Sequence, residues 1–202
     1  MPLYLLCAPY FYNMILHRYL KQAFVLFAAV VVLSSCHTSK VAMKGKPGEI
    51  VAPQASIADK YSEIMGVKTR DIQNGRLYSF IEQWTGTPYK FGRQDKNGID
   101  CSGFVQLLQQ DVYGIKLPRM TSQQVGVIKR KYEEELQEGD LVFFDFDGKQ
   151  FSHVGVYLQN GWFTHASTRK GVMVARLHDI GVYKYFSRGG SIMNQTIASS
   201  FQ

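Results

Sequence analysis

The chain has 202 residues, 46% of them hydrophobic and 19% charged, with a formal net charge of +7. That is ordinary globular composition, and the length fits one domain with appendages, not two full domains. The basic residues are scattered apart from Lys129-Arg130-Lys131, which Glu133-Glu134-Glu135 follows, so no nucleic-acid surface is expected.

No acidic residue precedes Glu49, and Arg18 and Lys21 stand before the apolar run Ala23–Leu33. The run is too short to span a bilayer as a helix, which takes about 20 residues. It matches the h-region of a secretory signal peptide, expected over residues 1–35. Leu33-Ser34-Ser35-Cys36 resembles the bacterial lipobox, which predicts that Cys36 is diacylated and becomes the mature N-terminus. The plainer alternative is a short core strand ending in a buried thiol. Met1–Asn13 is aromatic-rich and uncharged, whereas Met14 opens a cleaner signal, so translation is expected to start there. A longer translated leader is the alternative. The expected location is the cell envelope, with the lipid in the outer membrane and the chain facing the periplasm.

Residues 36–56 contain Gly45, Pro47, Gly48 and Pro53 and read as a flexible tether, with the domain over 57–202. A short helix is expected over Ala58–Met65. Asn74 is a plausible N-cap for the next, where Leu77, Phe80, Ile81 and Trp84 keep helical spacing and Gly86 stops it. After a loop over Thr87–Ile99, Asp100 caps a helix running to Tyr113, closed by Gly114. Thr121 with Gln124 fits a capping box for a helix reaching Arg130. Strand-like runs follow at Leu141–Phe146, His153–Leu158, Trp162–Ser167, Val172–Arg176 and Phe186–Ile192. Helices first and strands after indicate an α+β domain with an antiparallel sheet.

Of the three cysteines, Cys7 falls in the leader and Cys36 is reserved for lipid, which leaves Cys101 without a disulfide partner. It lies on the first turn of a helix, at an expected surface position, where free N–H groups and the helix dipole favour negative charge. Such placement typically lowers a thiol pKa of about 8.5 into the range ~3.5–7.5. His153 and His165 lie on the two strands of an expected hairpin. A helix-borne Cys followed by strand-borne His is the pattern of a cysteine hydrolase. A zinc site from the same three residues is the alternative, although no second Cys or close His-x-His pair supports it.

The hairpin register bears on that pattern. A strict two-residue turn at Asn160-Gly161 would set His165 opposite Val156, on the wrong face. A three-residue loop with Gly161 left-handed pairs 158 with 162 and sets His165 opposite Gly155, on the face of His153. The catalytic reading requires the second.

Thr87-Pro88-Tyr89, Phe91-Gly92, Asp100-Cys101-Ser102-Gly103-Phe104, Leu117-Pro118-Arg119, Gly139-Asp140-Leu141-Val142-Phe143-Phe144, Ser152-His153-Val154-Gly155-Val156-Tyr157 and His165-Ala166-Ser167 together resemble the NlpC-type family of cell-wall cysteine peptidases. The resemblance spans roughly residues 74–192. It implies a reduced papain-like fold and hydrolysis of peptidoglycan stem peptides, with the D-glutamyl–diamino acid bond favoured. A cross-link-cleaving endopeptidase or an acyltransferase is the alternative within enzymes, and an inactive wall-binding lipoprotein is the alternative outside them. Carried over by motif, Cys101 is the nucleophile, His153 the general base, His165 its orienter and Tyr89 an oxyanion donor. Asp100 and Ser102 are candidates for holding a substrate amine. Arg93 stands where many relatives have a second glycine, and is a candidate for a substrate carboxylate. No cofactor or metal is expected. The expected partners are stem peptides and, through the lipid, a membrane, with the chain monomeric.

Overall fold

The computed structural model of the protein describes residues 45–193. The expected signal peptide, the expected Met14 start, Cys7, Cys36 with its expected lipidation, and the expected tether up to residue 44 lie outside the described residues.

Residues 45–54 correct the expectation of a free tether up to residue 56. The Gly48 N–H donates to the Val112 carbonyl at 2.8 Å and the Gly75 N–H to the Val51 carbonyl at 2.7 Å. The buried Arg76 guanidinium donates to the carbonyls of Gly45 and Asp111. Helix α1 then runs over Ala55–Met65, three residues earlier than expected, so the ordered body begins ahead of residue 57. Helix α2, Gly75–Trp84, is capped as its sequence predicts: the Asn74 side chain accepts from the Leu77 N–H, and Leu77, Phe80, Ile81 and Trp84 are buried. Two short strands, β1 (Gln94–Asp95) and β2 (Gly98–Ile99), fold the following loop back on itself.

Helix α3 covers Cys101–Leu108, and a π-helical turn over Gln109–Tyr113 carries the chain to Gly114. The next helix is shorter than expected. Helix α4 spans only Thr121–Gln124, a 3-10 turn follows, and Ile128–Lys131 is strand β3 rather than helix. The capping box does not form, because the Gln124 amide donates to the carbonyls of Ser102 (3.0 Å) and Pro118 (2.9 Å) instead of turning back to its own helix. Residues 128–131 pair with the last strand, and that tertiary pairing overrides local helix preference.

The remaining strands are β4 (Leu141–Phe144), β5 (His153–Tyr157), β6 (Trp162–Ser167), β7 (Gly171–Arg176) and β8 (Phe186–Ile192), with a short helix α5 (Ile180–Tyr183) before the last. β4 ends two residues before the expected Phe146, which opens a 3-10 turn. The sheet has six strands in the order β3-β8-β4-β5-β6-β7, all neighbours antiparallel. Strand alternation divides its two faces. Leu141, Phe143, Val154, Val156 and Ala166 join Leu77, Phe80, Phe104 and Leu108 in the main core. Val142, Phe144 and Phe163 build a smaller cluster with Leu136 and Leu177, against which Phe146, Tyr185 and Phe186 pack.

Candidate active site

Cys101 is the first residue of α3, and the Asp100 carboxylate caps that helix through the Gly103 N–H at 2.8 Å. The thiol is not at the surface as expected: Cys101 is 5% exposed and belongs to the main core. Burial pushes the thiol up from its ordinary value, and the Asp100 charge adds to this. Hydrogen bonds to the sulfur from the Val154 N–H, the Thr121 side chain and the Ser102 N–H oppose the rise without overcoming it. The helix start is as expected, while burial raises the thiol instead of leaving it lowered.

The Val154 N–H belongs to the peptide that follows His153, so the sulfur meets β5 where the strand opens. His153 and His165 are 5% and 8% exposed. Their rings stand edge to face, and His153 Nε2 lies 2.7 Å from His165 Nδ1. Phenyl rings wall the pair: Phe146 is 5.3 Å and Phe144 6.2 Å from His153, and Phe163 is 4.9 Å from His165, centroid to centroid. Burial lowers both imidazoles. His165 falls to about 4 and His153, facing His165 as well, well below its ordinary value.

The register that aligns the two rings is the bulged one. Val156 pairs with Thr164 and Tyr157 with Phe163, and the Leu158 N–H donates to the Trp162 carbonyl. One step further along, His165 faces Gly155. A Cβ on Gly155 would lie 2.7 Å from Phe163 Cδ2 and from the Thr164 carbonyl oxygen, and 3.3 Å from His165 Cβ. Only glycine leaves room for the crossing. Gly161 is left-handed as expected, and Asn160 is too, at φ 49°. The tip is thus a primed turn with Gln159 as the extra residue. The Asn160 amide donates to the Met65 carbonyl at 2.7 Å, which ties the tip to the end of α1.

A second constellation surrounds the residues beside Cys101. Asp100 Oδ1 accepts from the Gly103 N–H, Arg119 Nη1 (2.8 Å) and the Ser102 hydroxyl; Oδ2 accepts from the Gly92 N–H and Arg119 Nη2 (2.7 Å). Burial alone would raise this carboxyl, but Arg119 and the two backbone donors hold it below the usual carboxylate range. Its charge is matched and both oxygens already have donors, which weighs against the expectation that Asp100 offers an anionic site to a substrate amine. Ser102 is also committed, accepting from Arg119 Nη1 at 2.9 Å. The Arg93 side chain turns to Asp95 at 2.6 Å on the surface.

Tyr89 is half-buried, its backbone bridged to Ile99. Burial, then the charges of Cys101 and Asp100, push its phenol up to about 12, so it remains a hydroxyl donor at neutral pH. The structure thus sets His165 against His153, brings the Cys101 sulfur to the N–H that follows His153 and within charge reach of Tyr89, ties Asp100 and Ser102 to Arg119, and turns the Arg93 side chain to Asp95. Residue-by-residue reading missed Arg119 and Thr121 as neighbours of the thiol. The Leu117-Pro118-Arg119 run was the available signal for the first, and for the second the helix cap masked it.

The geometry has counterparts in known proteins. Residues 86–190 match the NlpC/P60 family. The chain is 38% identical over 135 residues to the probable endopeptidase NlpC of Escherichia coli, covering 66% of this chain and 81% of that protein. It is 31% identical over 185 residues to the E. coli murein DD-endopeptidase MepS/murein LD-carboxypeptidase, covering 89% of this chain and 96% of that one. Among solved structures, a lipoprotein-like NLP/P60 family protein of Staphylococcus aureus superposes with a TM-score of 0.52 at 27% identity, over 58% of this chain and 40% of the other. On this footing, the chain belongs to the NlpC/P60 family and is a cysteine peptidase that hydrolyses peptidoglycan.

Proposed function

We propose that the protein is a lipid-anchored endopeptidase that cleaves stem-peptide amide bonds through an acyl-enzyme on Cys101. The observation that carries this reading is the 2.7 Å contact between His153 Nε2 and His165 Nδ1 behind a buried helix-start thiol. With His153 Nε2 donating to His165, Nδ1 is the nitrogen left to accept the thiol proton. Sγ of Cys101 attacks the carbonyl carbon as that proton moves to His153, and the imidazolium formed still donates through Nε2 to neutral His165. The tetrahedral oxyanion takes the Tyr89 hydroxyl as a donor. Collapse expels the amine with the proton from His153 and leaves a thioester, which water hydrolyses with His153 again as base.

The raised thiol and the two lowered imidazoles favour a neutral resting pair. Proton transfer then accompanies attack, in contrast to a preformed thiolate–imidazolium.

Of the two candidate bonds, the D-alanyl cross-link gains support on two counts. A relative named as a DD-endopeptidase aligns over 96% of its length. The carboxylate offered for a free amine is already spent on Arg119. The D-glutamyl–diamino acid bond is the second reading, favoured by the resemblance of the motifs. Digesting purified cross-linked muropeptides with the mature domain and weighing the products separates them. Monomers with intact stems support the first; stems cut after D-glutamate support the second.

The anchor rests on the basic flank, the apolar run and Leu33-Ser34-Ser35-Cys36. Cys36→Ser is expected to abolish labelling by a fatty-acid analogue and retention in membranes of the outer envelope; unchanged labelling overturns it.

A further inference from the structure

We propose that Arg119 is a positioning residue of this reaction: it clamps the Asp100–Cys101–Ser102 turn from both sides of the nucleophile and offsets the Asp100 charge as negative charge forms on sulfur. The proposal rests on the reading of Cys101 as nucleophile.

Arg119 grips both chain neighbours of Cys101 at once. One Nη1 spans Asp100 Oδ1 and Ser102 Oγ, while Nη2 takes Asp100 Oδ2, which gives a two-pronged pair at 2.7 and 2.8 Å. Gln124 adds a second hold from the same segment by donating to the Ser102 carbonyl. Through Asp100 Oδ2 and the Gly92 N–H, the clamp extends to the loop carrying Tyr89. Nucleophile and oxyanion donor are therefore referred to one carboxylate, and Arg119 holds that carboxylate still.

Charge adds to geometry. The titratable and charged groups around Cys101 are Asp100, Arg119, Tyr89 and, on β5, His153 with His165 behind it. Asp100 is the anion, and it opposes a thiolate one residue away. Arg119 is the only described cation in that set, within electrostatic reach of both Cys101 and Tyr89. A lysine would keep the charge and lose the two-pronged grip.

The test measures Cys101 alkylation by iodoacetamide against pH, with kcat and KM for muropeptides, in wild type, Arg119→Ala, Arg119→Lys and Arg119→Ala/Asp100→Asn, each checked for folding by near-UV circular dichroism. Arg119→Ala is expected to move the alkylation midpoint up by about one pH unit, and to lower kcat at least about tenfold with KM within about threefold. Arg119→Lys is expected to restore the midpoint more fully than kcat. The double variant, with both charges gone, is expected to return the midpoint toward wild type. An unchanged midpoint and kcat in Arg119→Ala overturns the proposal, as does a rise in KM alone, which would make Arg119 a substrate contact. If Arg119→Ala does not fold, Arg119→Lys decides: wild-type kcat in it overturns the clamp. If Cys101→Ala retains hydrolysis, the nucleophile reading fails separately, since alkylation reports the thiol whatever its role.

Discussion

His165 Nδ1 sits 2.7 Å from His153 Nε2, and of the two tautomer patterns open to this contact only one leaves His153 Nδ1 free to accept a proton. For His153 to accept a proton at Nδ1 it must carry hydrogen on Nε2, so His165 must present a bare Nδ1 and remain neutral. Protonated His165 would set two N–H groups against each other. Burial keeps it neutral, with its pKa down at about 4. His165→Ala is expected to lower kcat on the order of 100-fold with little change in KM, since the loss falls on the orientation of the base. A kcat within about twofold of wild type contradicts the role.

The same burial sets acid stability. Both histidines are neutral when folded and protonate near 6.5 when unfolded, so between 6.5 and about 4 the unfolded chain binds more protons. Stability is full above pH 6.5 and falls as pH drops, by on the order of 3 kcal/mol from His165 alone. Urea unfolding at pH 4.5 and 7.5 measures this, with a lower midpoint expected at 4.5. In His165→Gln the gap is expected to narrow, and equal midpoints in the wild type contradict the account.

Gly155 is the packing counterpart of the histidine contact. Gly155→Ala would drive a methyl against the Phe163 ring and the Thr164 carbonyl oxygen, both at 2.7 Å. The backbone oxygen cannot step aside without moving β6, which carries His165. The expected cost is about 1–3 kcal/mol with loss of activity, read by chemical denaturation and turnover. Wild-type stability and turnover would show that the crossing is looser than described.

Most of this site is legible in the sequence because its signals are local. Asp100 before an apolar helix, Asn74 ahead of Leu77, and the odd loop between Leu158 and Trp162 each act through neighbours a few residues away. The errors come from distant partners. Ile128–Lys131 turns from helix to strand because β8 offers it hydrogen bonds. The thiol of Cys101 rises because the folded core buries it, which no feature of Asp100-Cys101-Ser102 reveals. Arg119, nineteen positions from Asp100, pairs with the charge that made Asp100 look like an amine site.

That last relationship carries its own prediction. With Asp100 matched by Arg119, stem peptides with free and acetylated amino termini are expected to be cleaved with kcat/KM values within about threefold of each other. A preference of about tenfold or more for the free amine, measured by competition and mass spectrometry, contradicts the filled carboxylate.

The central claim is that Cys101, served by His153, opens a stem-peptide amide bond. Purified muropeptides incubated with wild type and with Cys101→Ala, and weighed by mass spectrometry, test it directly. The account predicts new peptide fragments with wild type, none with Cys101→Ala, and transient mass on the wild-type protein matching a thioester. Fragments released equally by Cys101→Ala would contradict it.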